Sequence, residues 1–265
     1  MTSTITSADG TKIAYERTGD GPPLIIVDGA MCYRDSGPSR PMAAELESDF
    51  TVLTYDRRGR GESGEGTEIA LEREVEDLEA LAKEAGGAPL LYGSSSGAVL
   101  ALEAASRGVG AAKLAMYEPP VIVDDSRDPL PADYPQQLDA MIAEGRHGDA
   151  IKSFMRFVEV PGFAIALMRL MPVWPKLKAV APTLRYDFAF MYELQRGRAL
   201  PETRWSTATL PTLVVDGGKS PTWMRNGNEA FAEVLPNATY RTLPGQNHLV
   251  KAKALAPWLR EFFAG

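Results

Sequence analysis

The sequence predicts an α/β protein: a mainly parallel sheet flanked by helices, interrupted by a helical insert. Three observations lead there. Short apolar runs of strand length alternate with longer segments of helical period. The alternation lapses over residues 121–210, where helical patterns and prolines occur without a strand. It then resumes for two more strands and a terminal helix. Strand–helix alternation puts helices on both faces of a parallel sheet, and a stretch of that length exceeds any plain connection. The expected division is therefore a core of residues 1–120 and 211–265 with a helical insert at 121–210.

The elements follow in order. Residues 4–7 and 12–17 alternate around Asp9-Gly10, a hairpin signal. Residues 24–27 form a buried strand ended by Asp28-Gly29, and 38–48 a helix. The strand at 51–55 runs into the glycine-punctuated segment Asp56-Arg57-Arg58-Gly59-Arg60-Gly61. Leu71, Val75, Leu78, Leu81 and Ala82 give residues 69–85 a helical period. Strands at 89–92 and 113–117 enclose a small-residue helix at 98–105, and Glu118-Pro119-Pro120 stops the second of them. After the insert come a strand at 211–216, a helix at 223–234, a strand at 239–242 and a helix at 251–263.

Composition narrows the function classes. Apolar residues make up 45% of the 265 and charged residues 24%, within the globular range. A net charge of −7 disfavours nucleic acid and anionic membrane surfaces as partners, which leaves a small-molecule substrate. No apolar run approaches the roughly 18 residues of a membrane span. A single cysteine, Cys32, permits no internal disulfide, and the first residues lack the basic and apolar blocks of a signal peptide. A cytoplasmic location is expected. With two histidines, no cysteine pair and no H-x-x-x-H, no metal site is expected.

Gly93-Ser94-Ser95-Ser96-Gly97 carries the chemistry. It joins a strand to a helix, the setting in which G-x-S-x-G is a nucleophile elbow. The turn lifts Ser95 from the backbone. The glycines remove side chains where backbone comes close, and the helix N-terminus offers N–H groups to a developing oxyanion. A serine at its free pKa needs a base. His147 lies in the charged turn 144–149 and reads as a surface residue, while His248 lies in a loop between the last strand and the last helix.

These pieces, from the hairpin start through the Arg/Gly segment, the Ser95 elbow, the insert and the His248 loop, resemble the α/β-hydrolase superfamily over nearly the whole chain. The resemblance implies the α/β-hydrolase fold with an inserted helical lid, no cofactor, and a Ser–His–acid triad. It also exposes two departures. Asp28-Gly29 stands where many members carry His-Gly. The usual acid, in a pattern like G-x-x-D, falls on Gly217-Gly218-Lys219-Ser220, where Ser220 cannot supply a negative charge. Glu118, ending the next strand 23 residues after Ser95, should reach the same crevice and keeps the order Ser–acid–His. Asp216 is the competing acid.

The Glu118 placement, the Ser95-Ser96-Gly97 elbow and Asp28-Gly29 are similar to the zearalenone-hydrolysing lactonases, which implies ester or lactone hydrolysis. The fold supplies one oxyanion donor from Ser96 and a second from Gly29 or Ala30. Asp28 either organises its loop or binds a polar substrate group. Met31, Trp174 and Trp223 are candidate substrate walls, and most other aromatics of the insert are expected in its own core. Two rival readings share the scaffold: a C–C bond hydrolase or acyltransferase, and a ligand-binding protein with a vestigial triad.

Overall fold

Period-2 alternation sorts the strand side chains between two cores. Leu114 and Met116 face one side of the sheet, Ala115 and Tyr117 the other. A computed structural model describes residues 1–265. Its strands are β1 (Ser3–Thr6), β2 (Lys12–Thr18), β3 (Pro23–Val27), β4 (Thr51–Tyr55), β5 (Leu90–Ser94), β6 (Lys113–Tyr117), β7 (Thr212–Gly217) and β8 (Ala238–Leu243). They form one sheet in the order β1-β2-β4-β3-β5-β6-β7-β8. β2 is antiparallel to both its neighbours, and β3 to β8 are mutually parallel.

The helices of the sheet layers are α1 (Ser39–Leu46), α2 (Leu71–Glu84), α3 (Ser96–Ser106), α9 (Thr222–Val234) and α10 (Ala252–Ala264). α1 and α10 cover one face through Met42, Leu46, Leu255 and Leu259. α2, α3 and α9 cover the other through Leu78, Leu81, Leu100 and Phe231. The expected elements are present, with ends shifted by one or two residues. The strand expected at 89–92 runs on to Ser94, because its parallel pairing with β6 continues to Ser94 opposite Tyr117.

Between β6 and β7 lie α4 (Tyr134–Ala143), α5 (His147–Phe157), α6 (Gly162–Met168), α7 (Val173–Val180) and α8 (Leu184–Met191), with two 3₁₀ turns and no strand. This insert has its own core, built on Leu138, Ile151, Ile165, Leu184 and Phe188. No helix is long and apolar enough to cross a membrane.

Because β3, β5, β6, β7 and β8 run the same way, the loops after them share one edge. Ligand crevices of open α/β sheets form there.

Candidate active site

The elbow is sterically determined. Ser95 adopts φ 55 and ψ −132, a conformation that costs a non-glycine residue ~1–3 kcal/mol. A Cβ on Gly93 would lie 2.5 Å from Ala98 Cα, and one on Gly97 would lie 2.6 Å from the Asp28 carbonyl oxygen. Strand, turn and helix can therefore approach only with glycine at both positions. Ser96 opens α3, so its N–H belongs to the first turn, which has no intrahelical acceptor.

Glu118 extends from the end of β6 with φ 45 and is fully buried. Its Oε1 accepts from the Gly217 N–H at 2.7 Å and from the Ser220 hydroxyl. Its Oε2 lies 2.9 Å from His248 Nδ1. The His248 loop is braced from below, since the Tyr117 hydroxyl donates to the Asn247 carbonyl at 2.7 Å and the Lys219 N–H to the Gln246 carbonyl at 2.8 Å. His248, 37% exposed, thus has one nitrogen on a buried carboxylate and the other free. Asp216 points elsewhere: it accepts from the Tyr240 hydroxyl at 2.8 Å and lies 3.5 Å from Arg225. Ser220, the residue that breaks the expected acid pattern, holds the carboxylate of Glu118 instead.

Ser95, Ser96, His248 and Ala30 line one cavity of about 220 Å³. Its apolar wall comes from the insert, through Phe154, Phe157, Phe188 and Met191, and from Trp223 and Met224 on α9. Gly29 backs Ser95 directly, since a Cβ there would lie 2.8 Å from Ser95 Cβ and 3.3 Å from Ser95 Oγ.

Three candidate substrate-binding residues, Asp28, Met31 and Trp174, lie outside the cavity lining. Asp28 is buried beneath the loop, neither carboxylate oxygen has a hydrogen-bond partner of good geometry, and burial pushes its carboxyl up to about 6 against the pull of Ser39, Arg60 and Arg57. Met31 is buried in the insert core. Trp174 packs there too: α7 turns it toward α5, where a Cβ on Gly148 would touch its ring at 3.5 Å. Cys32 sits in the same loop, where burial and then Asp28 push its thiol up to about 12, far from a reactive thiolate.

The largest omission of sequence reasoning is a buried charge network. Arg57, Arg58 and Arg60 are each about 1% exposed. Arg57 pairs with Glu74 at 2.5 Å and Asp187 at 2.7 Å, Arg60 with Asp187 at 2.6 Å, and Arg58 with Asp77 at 2.7 Å. Asp187 also accepts from the Ser96 hydroxyl at 2.7 Å and lines the cavity. Burial alone would raise its carboxyl, but Arg57 and Arg60 outweigh that and hold it below the usual range. The sequence signal was Glu74 and Asp77 on the inward face of α2, beside an arginine-rich loop. No group of three or more His, Cys, Asp or Glu side chains could hold a metal ion.

Comparison with known proteins agrees with this architecture. The model of the alpha/beta hydrolase family matches residues 27–256. An alpha/beta hydrolase from Sphaerobacter thermophilus DSM 20745 is 48% identical, with 98% of this chain and 100% of that one covered and a TM-score of 0.90. A thermophilic esterase from Thermogutta terrifontis (22% identity, 100% and 98% covered, TM-score 0.70) has the same fold. So does an enol-lactonase from Burkholderia xenovorans LB400 (18%, 99% and 100%, TM-score 0.72). The uncharacterized hydrolase YraK of Bacillus subtilis (strain 168) is 34% identical over 98 residues, a stretch that spans 36% of this chain and 35% of that protein. With its sheet order, its elbow and a family match over most of its length, this chain belongs to the alpha/beta hydrolase family.

Proposed function

We propose that this protein is a serine hydrolase that cleaves a carboxylic ester or lactone of a compact, mostly apolar small molecule through an acyl-enzyme on Ser95. The observation that carries the reading is the Glu118–His248 pair, 2.9 Å apart, with Glu118 buried behind His248 and His248 lining the same cavity as Ser95.

A buried carboxylate at Nδ1 keeps the proton on that nitrogen and leaves Nε2 as an acceptor. His248 Nε2 then takes the Ser95 proton as Oγ attacks the acyl carbon, and Glu118 stabilises the imidazolium. The oxyanion is held by the Ser96 N–H and by that of Gly29 or Ala30. The imidazolium gives its proton to the leaving alkoxide. Water enters, loses a proton to His248 and attacks the acyl carbon, and Ser95 leaves with that proton restored. The acid after β6 is the feature shared with the zearalenone-hydrolysing lactonases. The insert serves as the lid that excludes water and shapes the acyl pocket.

The test is labelling with a fluorophosphonate and turnover of p-nitrophenyl butyrate and a small lactone. We expect one covalent adduct, on Ser95, and no turnover by Ser95→Ala. An adduct elsewhere, or full turnover by Ser95→Ala, removes the proposal.

A further inference from the structure

The chain treats its buried arginines consistently: Arg57, Arg58 and Arg60 each lie within 3.0 Å of a carboxylate. Arg127, half-buried in the loop between β6 and α4, is different. Its guanidinium is wedged between the Trp223 ring, 4.1 Å away, and the Phe157 ring, 4.6 Å away. It lines the cavity shared by Ser95 and His248. Nη2 donates to the Phe157 carbonyl, while Nη1 is enclosed and has no acceptor. The one carboxylate acting on it is the exposed Glu159, at longer range, and Glu159 accepts the Trp223 indole N–H at 3.4 Å. Burial correspondingly lowers the pKa of Arg127.

We propose that Arg127 receives a carboxylate of the substrate, so that the preferred substrates are esters or lactones that also carry a free carboxylate. The proposal rests on the hydrolase reading above and names its substrate class. Stacking between two rings satisfies the faces of a guanidinium but not its in-plane N–H groups. It also fixes the plane, which suits a planar carboxylate approaching edge-on. The other cavity-facing anion, Asp187, is already neutralised by Arg57 and Arg60. Lys219, at the cavity rim, adds a second cation. With Glu159 on the same wall, the surplus of positive charge at Arg127 fits a single carboxylate group better than a phosphate. Arg127 and Ser95 line one cavity of about 220 Å³, which favours a short spacer between that carboxylate and the acyl carbon.

The experiment compares monoethyl glutarate with ethyl pentanoate, read as kcat/KM by proton release, and glutarate binding by calorimetry. Wild type should prefer the anionic ester at least tenfold, mainly through KM. Arg127→Gln should reduce that ratio at least tenfold, and Arg127→Lys should fall between. Glutarate should bind wild type and Ser95→Ala alike, and Arg127→Gln at least tenfold more weakly. An unchanged substrate ratio, or equal glutarate affinity in a folded Arg127→Gln, overturns the proposal while leaving the hydrolase intact. Arg127-dependent glutarate binding with no Ser95-dependent turnover sustains the anion site and removes the hydrolase reading.

Discussion

Replacing Glu118 with glutamine tests the site at its most constrained point. Glu118 is fully buried and accepts three donors: the Gly217 N–H at 2.7 Å, the Ser220 hydroxyl, and His248 Nδ1 at 2.9 Å. Glutamine has the same shape but only one acceptor oxygen. If its NH₂ faces His248, the ring must carry its proton on Nε2, and Nε2 can no longer accept from Ser95. If the NH₂ faces Gly217, two buried donors meet, at ~1–3 kcal/mol. Either way the imidazolium loses its counter-charge. A buried orienting carboxylate of this kind is worth about 10³–10⁴ in kcat, or ~4–5.5 kcal/mol at about 1.36 kcal/mol per decade. The assay is kcat on p-nitrophenyl butyrate, with Asp216→Asn as control, because Asp216 bonds Tyr240 rather than His248. We expect a loss of about 10³-fold or more in Glu118→Gln and a change within about threefold in the control. A folded Glu118→Gln within tenfold of wild type would refute the reasoning.

Three further perturbations probe the surroundings. Asp187→Asn strips the shared counter-charge from buried Arg57 and Arg60 and should cost about 3–5 kcal/mol in urea unfolding, where a loss under ~1 kcal/mol contradicts it. Gly29→Ala sets a methyl 2.8 Å from Ser95 Cβ and 3.3 Å from Oγ, and should lower kcat/KM about 10²-fold; near-wild-type turnover would place the oxyanion loop elsewhere. Asp28 has its folded pKa raised to about 6 from 3.8 by burial, so the stability it contributes is complete below about 3.8 and is lost as pH rises through about 6. That gap corresponds to ~3 kcal/mol, so Asp28→Asn should gain on wild type by up to that amount between pH 4 and 7.5 in paired urea titrations; a constant difference would show that Asp28 does not titrate in this range.

What the sequence made legible was local. Strands such as β3 and β6 turn apolar residues toward both cores, and the Ser95 elbow is confined to five consecutive residues with glycines that the backbone demands. The illegible parts are long-range pairings. Arg57 and Asp187 are 130 positions apart and meet only because the insert folds back over the loop after β4. Trp174 and Trp223 each follow or adjoin proline in segments of similar composition, yet one packs on α5 and the other lines the cavity. No periodicity distinguishes them, because the direction of each side chain depends on how α7 and α9 dock. Arg127 gave no local signal at all: its meaning comes from the two rings that meet it.

The Glu118–Ser220 pair has a consequence of its own. β6 and β7 are adjacent and parallel, with Tyr117 opposite Val215, so residues just past either strand end converge on the same point beside His248. A carboxylate at position 220 would lie against that of Glu118, since the present Ser220 hydroxyl already bonds it. Two carboxylates sharing one buried site cannot both stay ionised, and one pKa rises steeply. The acid can therefore stand after either strand but not after both. Ser220→Asp should lose at least about tenfold in kcat at pH 7, because the proton shared by the pair weakens the counter-charge offered to His248. Combining it with Glu118→Ser should recover activity relative to Glu118→Ser alone, because the charge returns to the other strand end. Simple additivity of the two substitutions in a double-mutant cycle would mean that the two positions do not share a site.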